Sequence, residues 1–175
     1  MAVRVKDSDR RREILDAALA CFLKFGYSKT SLDDIAKQAK LSRPLIYQRF
    51  KNKEAIFGAV YDDVFESLMP QVREVVASKQ ARKTKLMALC EIMCIGPWEM
   101  MSEAPMVEEF YVACEQVIPE ICEKHEKHWV EALRAVFGDK PTADVFDLAL
   151  GGLMTDKPSA AVFRKRVQLL VDRFA

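Results

Sequence analysis

The sequence lacks the features that mark membrane proteins, secreted proteins and most enzymes. No run approaches the roughly 18 uninterrupted apolar residues that a membrane span requires, and the polar N-terminus lacks the apolar segment of a signal peptide. A Gly-rich phosphate loop, a nucleophile elbow and a paired metal-ligand motif are all missing. We therefore expect a cytoplasmic protein that has no membrane partner, needs no cofactor and is not an enzyme.

The chain holds five cysteines, which is an odd number. The five thiols belong to Cys21, Cys90, Cys94, Cys114 and Cys122. An odd count in a cytoplasmic chain argues against a disulfide framework. Cys90 and Cys94 lie four residues apart and would face the same way on a helix, where the geometry for a disulfide is poor. Core packing is therefore favoured over a thiol sensor pair.

Histidine is rarer still, with only His125 and His128. Both follow Cys122 at steps of three, and three ligands at this spacing can share part of a helix face and hold a soft metal. Glutamates and lysines surround His125, which indicates a solvated face instead. We favour the solvated face over a metal site. The alternative of a small cysteine- or metal-dependent enzyme would depend on Cys122 and His125 of this group.

Net charge is small as well, because 27 basic residues nearly balance 26 acidic ones and leave +1. Residues 1–53 nevertheless hold thirteen Lys/Arg against six Asp/Glu, a net of +7, and residues 54–175 hold fourteen against twenty, a net of −6. A basic head on an acidic body indicates a DNA-binding segment followed by a second domain. The densest basic run comprises Arg4, Lys6, Arg10, Arg11 and Arg12. It is either an arm along the phosphate backbone or a disordered, soluble terminus.

Helical periodicity runs through almost the whole chain, without strand-like alternation, internal repeats or a low-complexity linker. The pattern predicts an all-α protein of about nine helices, divided into residues 1–52 and residues 53–175. Pro70 should kink or break the helix that starts near Lys53, and Gly96-Pro97 should end the following one.

Residues 26–57 describe two short helices joined by a tight turn. Thr30 and Ser31 can cap a helix that opens near Leu32. Ser42 caps again, and Pro44 falls in the first turn of the next helix, where its missing N–H costs nothing. Since only about three residues separate the helices, they must cross steeply, as in a helix-turn-helix.

The second of these helices carries side chains suited to the major groove. Ile46 and Phe50 lie four apart and point into the core. Arg43, Tyr47 and Gln48 are left to reach base edges or adjacent phosphates, and Leu45 can contact a thymine methyl. The residues predicted at the DNA are Thr30, Ser31, Ser42, Arg43, Pro44, Leu45, Tyr47, Gln48, Arg49 and Lys53, with Thr30, Ser42, Arg49 and Lys53 assigned to the DNA backbone.

From Ile14 to Phe57 the chain resembles the TetR family of one-component transcriptional regulators. The resemblance includes the helix-1 stretch Ile14-Leu15-Asp16-Ala17-Ala18, then Phe22 and Gly26-Tyr27. Two positions depart from the family pattern: Leu45 replaces a small or hydroxylated residue, and Arg49 replaces a His or Tyr. The resemblance implies a ligand cavity enclosed by the middle helices. It also implies a last helix pair that packs against its two-fold mate as a four-helix bundle.

The middle of the chain is rich in methionine and aromatic residues. Such side chains form adaptable walls around apolar guests, or an ordinary, loosely specified helical core. With the implied cavity, the pocket is favoured. The predicted ligand-binding residues are Leu86, Met87, Cys90, Met93, Trp98, Met101, Phe110, Tyr111 and Trp129.

Apolar stripes on the last two helices predict a homodimer interface. Its residues are Phe146, Leu150, Leu153, Val162, Phe163, Val167 and Leu170. The same stripes could instead cover only the intramolecular core. A ligand-responsive repressor that binds a palindromic DNA operator as a dimer, and is released by a small, mostly apolar effector, fits these patterns best. The alternative is a helical DNA-binding or interaction protein without an effector.

Overall fold

The computed structural model describes residues 2–175, with side chains from residue 9 onward. Within that range the regular elements are all helical. They are α1 (Ala2–Phe25), α2 (Leu32–Gln38), α3 (Arg43–Arg49), α4 (Lys53–Ala77), α5 (Arg82–Cys90), a π-helical turn (Glu91–Ile95), α6 (Gly96–Met101), α7 (Val107–Val117), α8 (Pro119–Phe137), α9 (Lys140–Gly152) and α10 (Ala160–Phe174). Since α5, the π turn and α6 run on without a break, the described chain has nine continuous helical segments. The all-α prediction is confirmed.

The helices form two compact units. The first comprises Met1–Val64 and Ala104–Cys122, and the second comprises Phe65–Glu103 and Glu123–Ala175. Helices α4 and α8 therefore contribute residues to both. The predicted division after residue 52 separates the helix-turn-helix from the rest of the chain and stays a prediction.

The first unit is built around a chain of aromatic rings. Phe22 packs edge-on against Phe57 with ring centroids 5.0 Å apart, and Phe57 contacts Phe110 at 5.2 Å. Fully buried Ile14 and Ile35 extend this core into α1 and α2. Burial of each such side chain contributes about 1.5–3 kcal/mol. The unit therefore joins α4 and α7 to the first three helices in one hydrophobic core.

The second unit has its own core around Phe146. This ring lies 5.4 Å from Phe137 and 5.4 Å from Phe174, measured between centroids. Leu86 and Leu133 are fully buried in the same unit. The core therefore draws on α5, α8, α9 and α10.

Two prolines lie inside continuous helical segments. Pro70 lies within α4, so the helix does not break there and the alternative of a kink stays a prediction. Gly96-Pro97 does not end a helix, because the preceding residues widen into the π turn and α6 continues. In that turn the Gly96 N–H donates to the carbonyl of Glu91, five residues back. A wider turn relieves the clash that a proline ring makes with the carbonyl four residues earlier.

Across the described residues, no helix combines the length and apolar character needed to cross a membrane.

Candidate nucleic-acid interface

Helix α2 begins with a reciprocal cap. The Asp34 backbone N–H donates to Ser31 Oγ at 3.2 Å, and the Ser31 N–H donates to Asp34 Oδ2 at 2.9 Å. The Ser31 hydroxyl also donates to this carboxylate, and its hydrogen bonds hold the Asp34 pKa below its ordinary value. Together these contacts fix the start of α2. The predicted capping role of Ser31 is confirmed.

Thr30 differs from its predicted role. Its side chain is only 2% exposed, and its hydroxyl donates to the Gly26 carbonyl at 2.7 Å and to the Cys21 carbonyl at 3.3 Å. A hydroxyl committed to two backbone carbonyls inside the protein cannot also grip a phosphate. Thr30 instead fixes the turn between α1 and α2.

Helix α3 starts at Arg43, with Ser42 in the N-cap position and Pro44 in the first turn. The expected cap is absent, because the Ser42 side chain makes no capping hydrogen bond. Ser42 is exposed, so its hydroxyl can face a phosphate. Ile46 and Phe50 are buried as predicted, which turns the opposite face of α3 outward.

The outward face presents Arg43, Tyr47 and Gln48, all exposed. The Arg43 guanidinium is oriented by two partners. Its Nε lies 3.0 Å from Asp33 Oδ1, and its Nη1 donates to Asp33 Oδ2 at 3.1 Å. Its Nη2 donates to the Tyr47 hydroxyl at 3.3 Å. The planar guanidinium is thus held in one orientation, and Asp33 and Tyr47 must share or release its N–H donors before it can make a bidentate contact with a base edge or phosphate.

The sequence pattern alone does not identify Asp33 as part of this face. It lies in the first turn of α2, ten residues before Arg43, and looks there like an ordinary helix-start acid. Only the crossing of α2 and α3 reveals it as the partner of Arg43.

Leu45 and Arg49 are half-buried, and Lys53 is partly committed within the protein. The Lys53 ammonium donates to the Tyr27 carbonyl at 2.7 Å and to the Ser28 carbonyl at 3.3 Å. It also lies 4.3 Å from the Tyr27 ring centroid. Burial lowers the Lys53 pKa. Lys53 therefore connects the start of α4 to the turn after α1, in addition to the DNA-backbone contact that the sequence predicts for it.

Helix α7 and the residue before it make further hydrogen bonds to the end of α1 and to the turn that follows it. The Ser28 N–H donates to Glu109 Oε1 at 2.7 Å, and the Met106 N–H donates to the Leu23 carbonyl at 3.1 Å. The hydrogen bond from Ser28 lowers the pKa of Glu109. Gly26 lies against the same carboxylate, with φ of +86°. The turn that precedes the helix-turn-helix is thus held from α4 and from α7.

Gly26→Ala is expected to lower the free energy of unfolding by about 2–4 kcal/mol. The left-handed φ costs roughly 1–2 kcal/mol with a side chain present. A Cβ would also lie 2.6 Å from Glu109 Cδ, and displacing that carboxylate strips the Ser28 N–H of its partner.

Gly138→Ala is the matched control, measured by urea denaturation alongside. Gly138 has φ of +81° but nothing within 4 Å of the added Cβ. It should lose only the conformational part, about 1–2 kcal/mol. Equal losses in the two variants would contradict a clamping role for Glu109.

The basic run near the N-terminus lies on α1. Arg12 Nη1 is 2.8 Å from Asp63 Oδ2, and Arg11 Nη1 is 3.4 Å from Asp63 Oδ1. These pairs connect α1 to α4. The side chains of Arg4 and Lys6 lie outside the described residues.

Most of the predicted ligand-binding residues are packed in cores. Phe110 and Tyr111 belong to the first unit, and the other seven belong to the second. Trp98 Nε1 donates to the Pro158 carbonyl at 2.9 Å, and Trp129 Nε1 donates to Asp147 Oδ1 at 2.6 Å. The buried residues of the predicted set are Leu86, Cys90, Met93, Trp98, Met101, Phe110 and Trp129.

An open cleft of about 470 Å³ also lies in the second unit. Its lining residues are Lys83, Thr84, Met87, Ala88, Glu91 and Gln168. Met87 is the member of the predicted set that faces it. Burial raises the pKa of the Cys90 thiol to about 12 and raises the pKa of the Cys94 thiol above its ordinary value, which disfavours a reactive thiolate at either position.

The predicted interface residues lie mainly in the core of the second unit. Phe146, Leu150, Phe163 and Val167 are at most 4% exposed, whereas Leu153 and Leu170 are half-buried. Only Val162 of the predicted set is exposed. Helices α9 and α10 each carry apolar residues on two faces. The face that holds Phe146 in α9 and Phe163 in α10 is turned inward. The apolar residues left exposed are Val145, Leu148, Val162 and Leu169.

Residues 14–60 match the family model for bacterial regulatory proteins, tetR family. Among curated relatives, the uncharacterized HTH-type transcriptional regulator YhgD of Bacillus subtilis is 39% identical over 66 residues, covering 38% of this chain and 32% of YhgD. The HTH-type transcriptional activator FasR of Mycolicibacterium smegmatis is 31% identical over 88 residues, covering 50% of this chain and 40% of FasR. The chain thus aligns with well under half the length of these relatives.

Among solved structures, SmeT, the repressor of the Stenotrophomonas maltophilia multidrug efflux pump SmeDEF, superposes with a TM-score of 0.68. Identity is 21%, and the match covers 94% of this chain and 87% of SmeT. SmeT has also been solved as a triclosan complex. At this identity the likeness establishes the fold.

The α2–α3 pair, in which Ser31 caps α2 and α3 exposes a basic face, has the arrangement of a helix-turn-helix DNA-binding motif. Residues 14–60 therefore carry a DNA-binding domain of the tetR type, and the fold of the chain is similar to that of solved TetR-family regulators.

Proposed function

We propose that the chain is a ligand-responsive repressor that binds a palindromic operator as a homodimer. The observation that carries this proposal is the outward face of α3, where Asp33 and Tyr47 hold Arg43 in an oriented position. A regulator that binds bacterial DNA acts in the cytoplasm, so the proposal includes the expectation that the protein is cytoplasmic.

At the DNA, Arg43, Tyr47 and Gln48 contact base edges or adjacent phosphates. Leu45 contacts a thymine methyl, and Ser42 and Arg49 contact the backbone. Backbone contacts position the protein, whereas contacts to base edges supply sequence preference. The half-buried position of Leu45 leaves it only the rim of this surface.

Dimerisation follows from the small reach of one recognition helix, which covers too few base pairs for useful specificity. Two copies placing α3 in successive major grooves, about 34 Å apart, read a palindrome. The support for an interface on α9 and α10 is the apolar residues that these helices leave exposed, above all Leu148 and Leu169.

The effector is a small, mostly apolar compound that binds in the second unit, among the residues near Met87, Met93 and Trp98. SmeT, of the same fold, has been solved with triclosan, which supports an apolar effector. To release DNA, the compound must bind the DNA-incompetent arrangement more tightly. A hundredfold change in operator affinity needs only about 2.7 kcal/mol of coupling. Helix α4, which contributes to both units, is a physical route for it.

The test is in-vitro selection of bound DNA, followed by a thermal-shift screen of apolar compounds on the same preparation. We expect an inverted repeat, and at least one compound that both raises the melting temperature and releases the selected DNA. Enrichment of no sequence would overturn the DNA-reading proposal. Sequence-specific binding without any effective compound would favour the alternative of a DNA-binding protein that has no effector.

A further inference from the structure

Three potential metal ligands converge in the second unit. They are Glu66 on α4 and the two histidines of the chain, His125 and His128, on α8. Their carboxylate oxygen and imidazole nitrogens all lie within 4.8 Å of one another. His125 is only 3% exposed, and its ring centroid lies 5.1 Å from that of Phe65. The histidine thus sits in a packed setting that fixes its ring, and not on a solvated face.

This cluster differs from the Cys122–His125–His128 trio that the sequence spacing suggests. Cys122 belongs to the first unit, where its thiol donates to the Cys114 carbonyl at 3.4 Å. Glu66 supplies the third donor instead. It lies on another helix, so no spacing rule along the sequence could have found it.

We propose that Glu66, His125 and His128 bind a divalent transition-metal ion of borderline softness, such as Zn²⁺, Co²⁺ or Ni²⁺. Two imidazoles and a carboxylate form the donor set of open zinc sites, which leave a fourth position for water or an exogenous ligand. Histidines three apart on a helix lie on one face. Donor atoms on a tetrahedral ion are about 3.3 Å apart, so the cluster must tighten slightly. Rotation of the exposed Glu66 side chain supplies this movement.

Two local features set the affinity. Lys124 Nζ lies 2.6 Å from Glu66 Oε1, and this ion pair is partly solvent-exposed. An exposed pair is worth at most about 1 kcal/mol, so Lys124 competes with the metal only weakly. The His128 Nδ1 atom is buried and has no hydrogen-bond partner among the described residues. A metal ion gives such a nitrogen a partner.

The test is a Co²⁺ titration of the full, tag-free chain under reducing conditions, followed by visible absorption and by NMR of the imidazole protons. Because both histidines of the chain lie in the cluster, these signals report on this site alone. We expect one ion per chain and simultaneous shifts of both imidazoles. Glu66→Gln and His128→Gln should each weaken binding by at least about tenfold. Lys124→Gln should strengthen it a few-fold, since the competing cation is removed.

Glu123→Gln is the matched control. Glu123 is an exposed glutamate on α8, the helix of the two histidines, and it pairs with Lys127. Its replacement should leave cobalt affinity unchanged. Circular dichroism melts establish that every variant is folded. The proposal is overturned if the chain binds no Co²⁺ up to millimolar concentration, or if binding survives Glu66→Gln and His128→Gln. A thiolate-to-cobalt charge-transfer band that thiol blocking abolishes would also overturn it, because the metal would then be held by cysteines.

Discussion

Replacing Arg43 and Tyr47 together by alanine is expected to weaken binding to the selected operator by about thirtyfold to a thousandfold. Each base-edge contact is worth roughly 1–3 kcal/mol of discrimination. The two side chains touch each other, with Arg43 Nη2 donating to the Tyr47 hydroxyl at 3.3 Å. Their losses are therefore coupled, and the double variant should lose less than the sum of the single ones. Fluorescence anisotropy of labelled operator, at fixed salt, measures the change.

Arg73→Ala is the control for general loss of positive charge, because Arg73 is exposed on α4 in the second unit. It should leave operator affinity within about twofold, as salt screens surface charges that make no contact with the DNA. The salt dependence separates the two possible roles of Arg43. Loss of a base contact relaxes preference at one operator position, whereas loss of a phosphate contact weakens all sequences alike and reduces the salt slope by about one. A folded double variant with unchanged operator affinity would remove both residues from the interface.

The parts of this molecule that the sequence predicted well are those determined by neighbours within a few residues. Ser31 caps α2 through a partner three residues away, and Ile46 and Phe50 are buried because their spacing fixes one face of α3. These signals survive folding, since capping and helical periodicity act over one or two turns.

The roles that the sequence did not predict depend on contacts between distant residues. Glu109 meets Ser28 across 81 positions, and Lys53 reaches Tyr27 across 26. Nothing in the local pattern distinguishes Glu109 from the other glutamates of α7. The sequence predicts Thr30 at the DNA backbone, but tertiary packing turns its hydroxyl toward backbone carbonyls.

The last two helices illustrate a different ambiguity. Periodicity identified apolar stripes on α9 and α10, but it cannot say which of two apolar faces turns inward. The larger aromatic side chains of Phe146 and Phe163 lie in the core, because they bury more apolar area there. Leu150 and Val167 are buried with them, whereas Leu148 and Leu169 on the other faces remain exposed.

Leu148→Glu/Leu169→Glu is therefore expected to raise the dissociation constant of the homodimer by at least about a hundredfold. The two leucines are 76% and 64% exposed in the single chain, and burying each in an interface contributes about 1.5–3 kcal/mol. The substitutions remove that gain and place unpaired carboxylates against their symmetry mates. Sedimentation at micromolar concentration should show a dimer for the original chain and a monomer for the variant. Binding to the full palindrome should fall to the level of a single half-site.

Val112→Glu provides the comparison, because Val112 is 50% exposed on α7 and lies outside the proposed interface. The Val112→Glu variant should have the same mass in solution as the original chain. Leu148, Leu169 and Val112 all face solvent in the single chain. The circular dichroism melting temperatures of the variants and the original chain should therefore be similar, apart from the change that dissociation of the dimer itself causes. A variant that remains dimeric with both glutamates present would mean that this stripe is not the interface. A monodisperse monomer formed by the original chain would contradict dimerisation itself, and the operator would then have to be read by one recognition helix at a time.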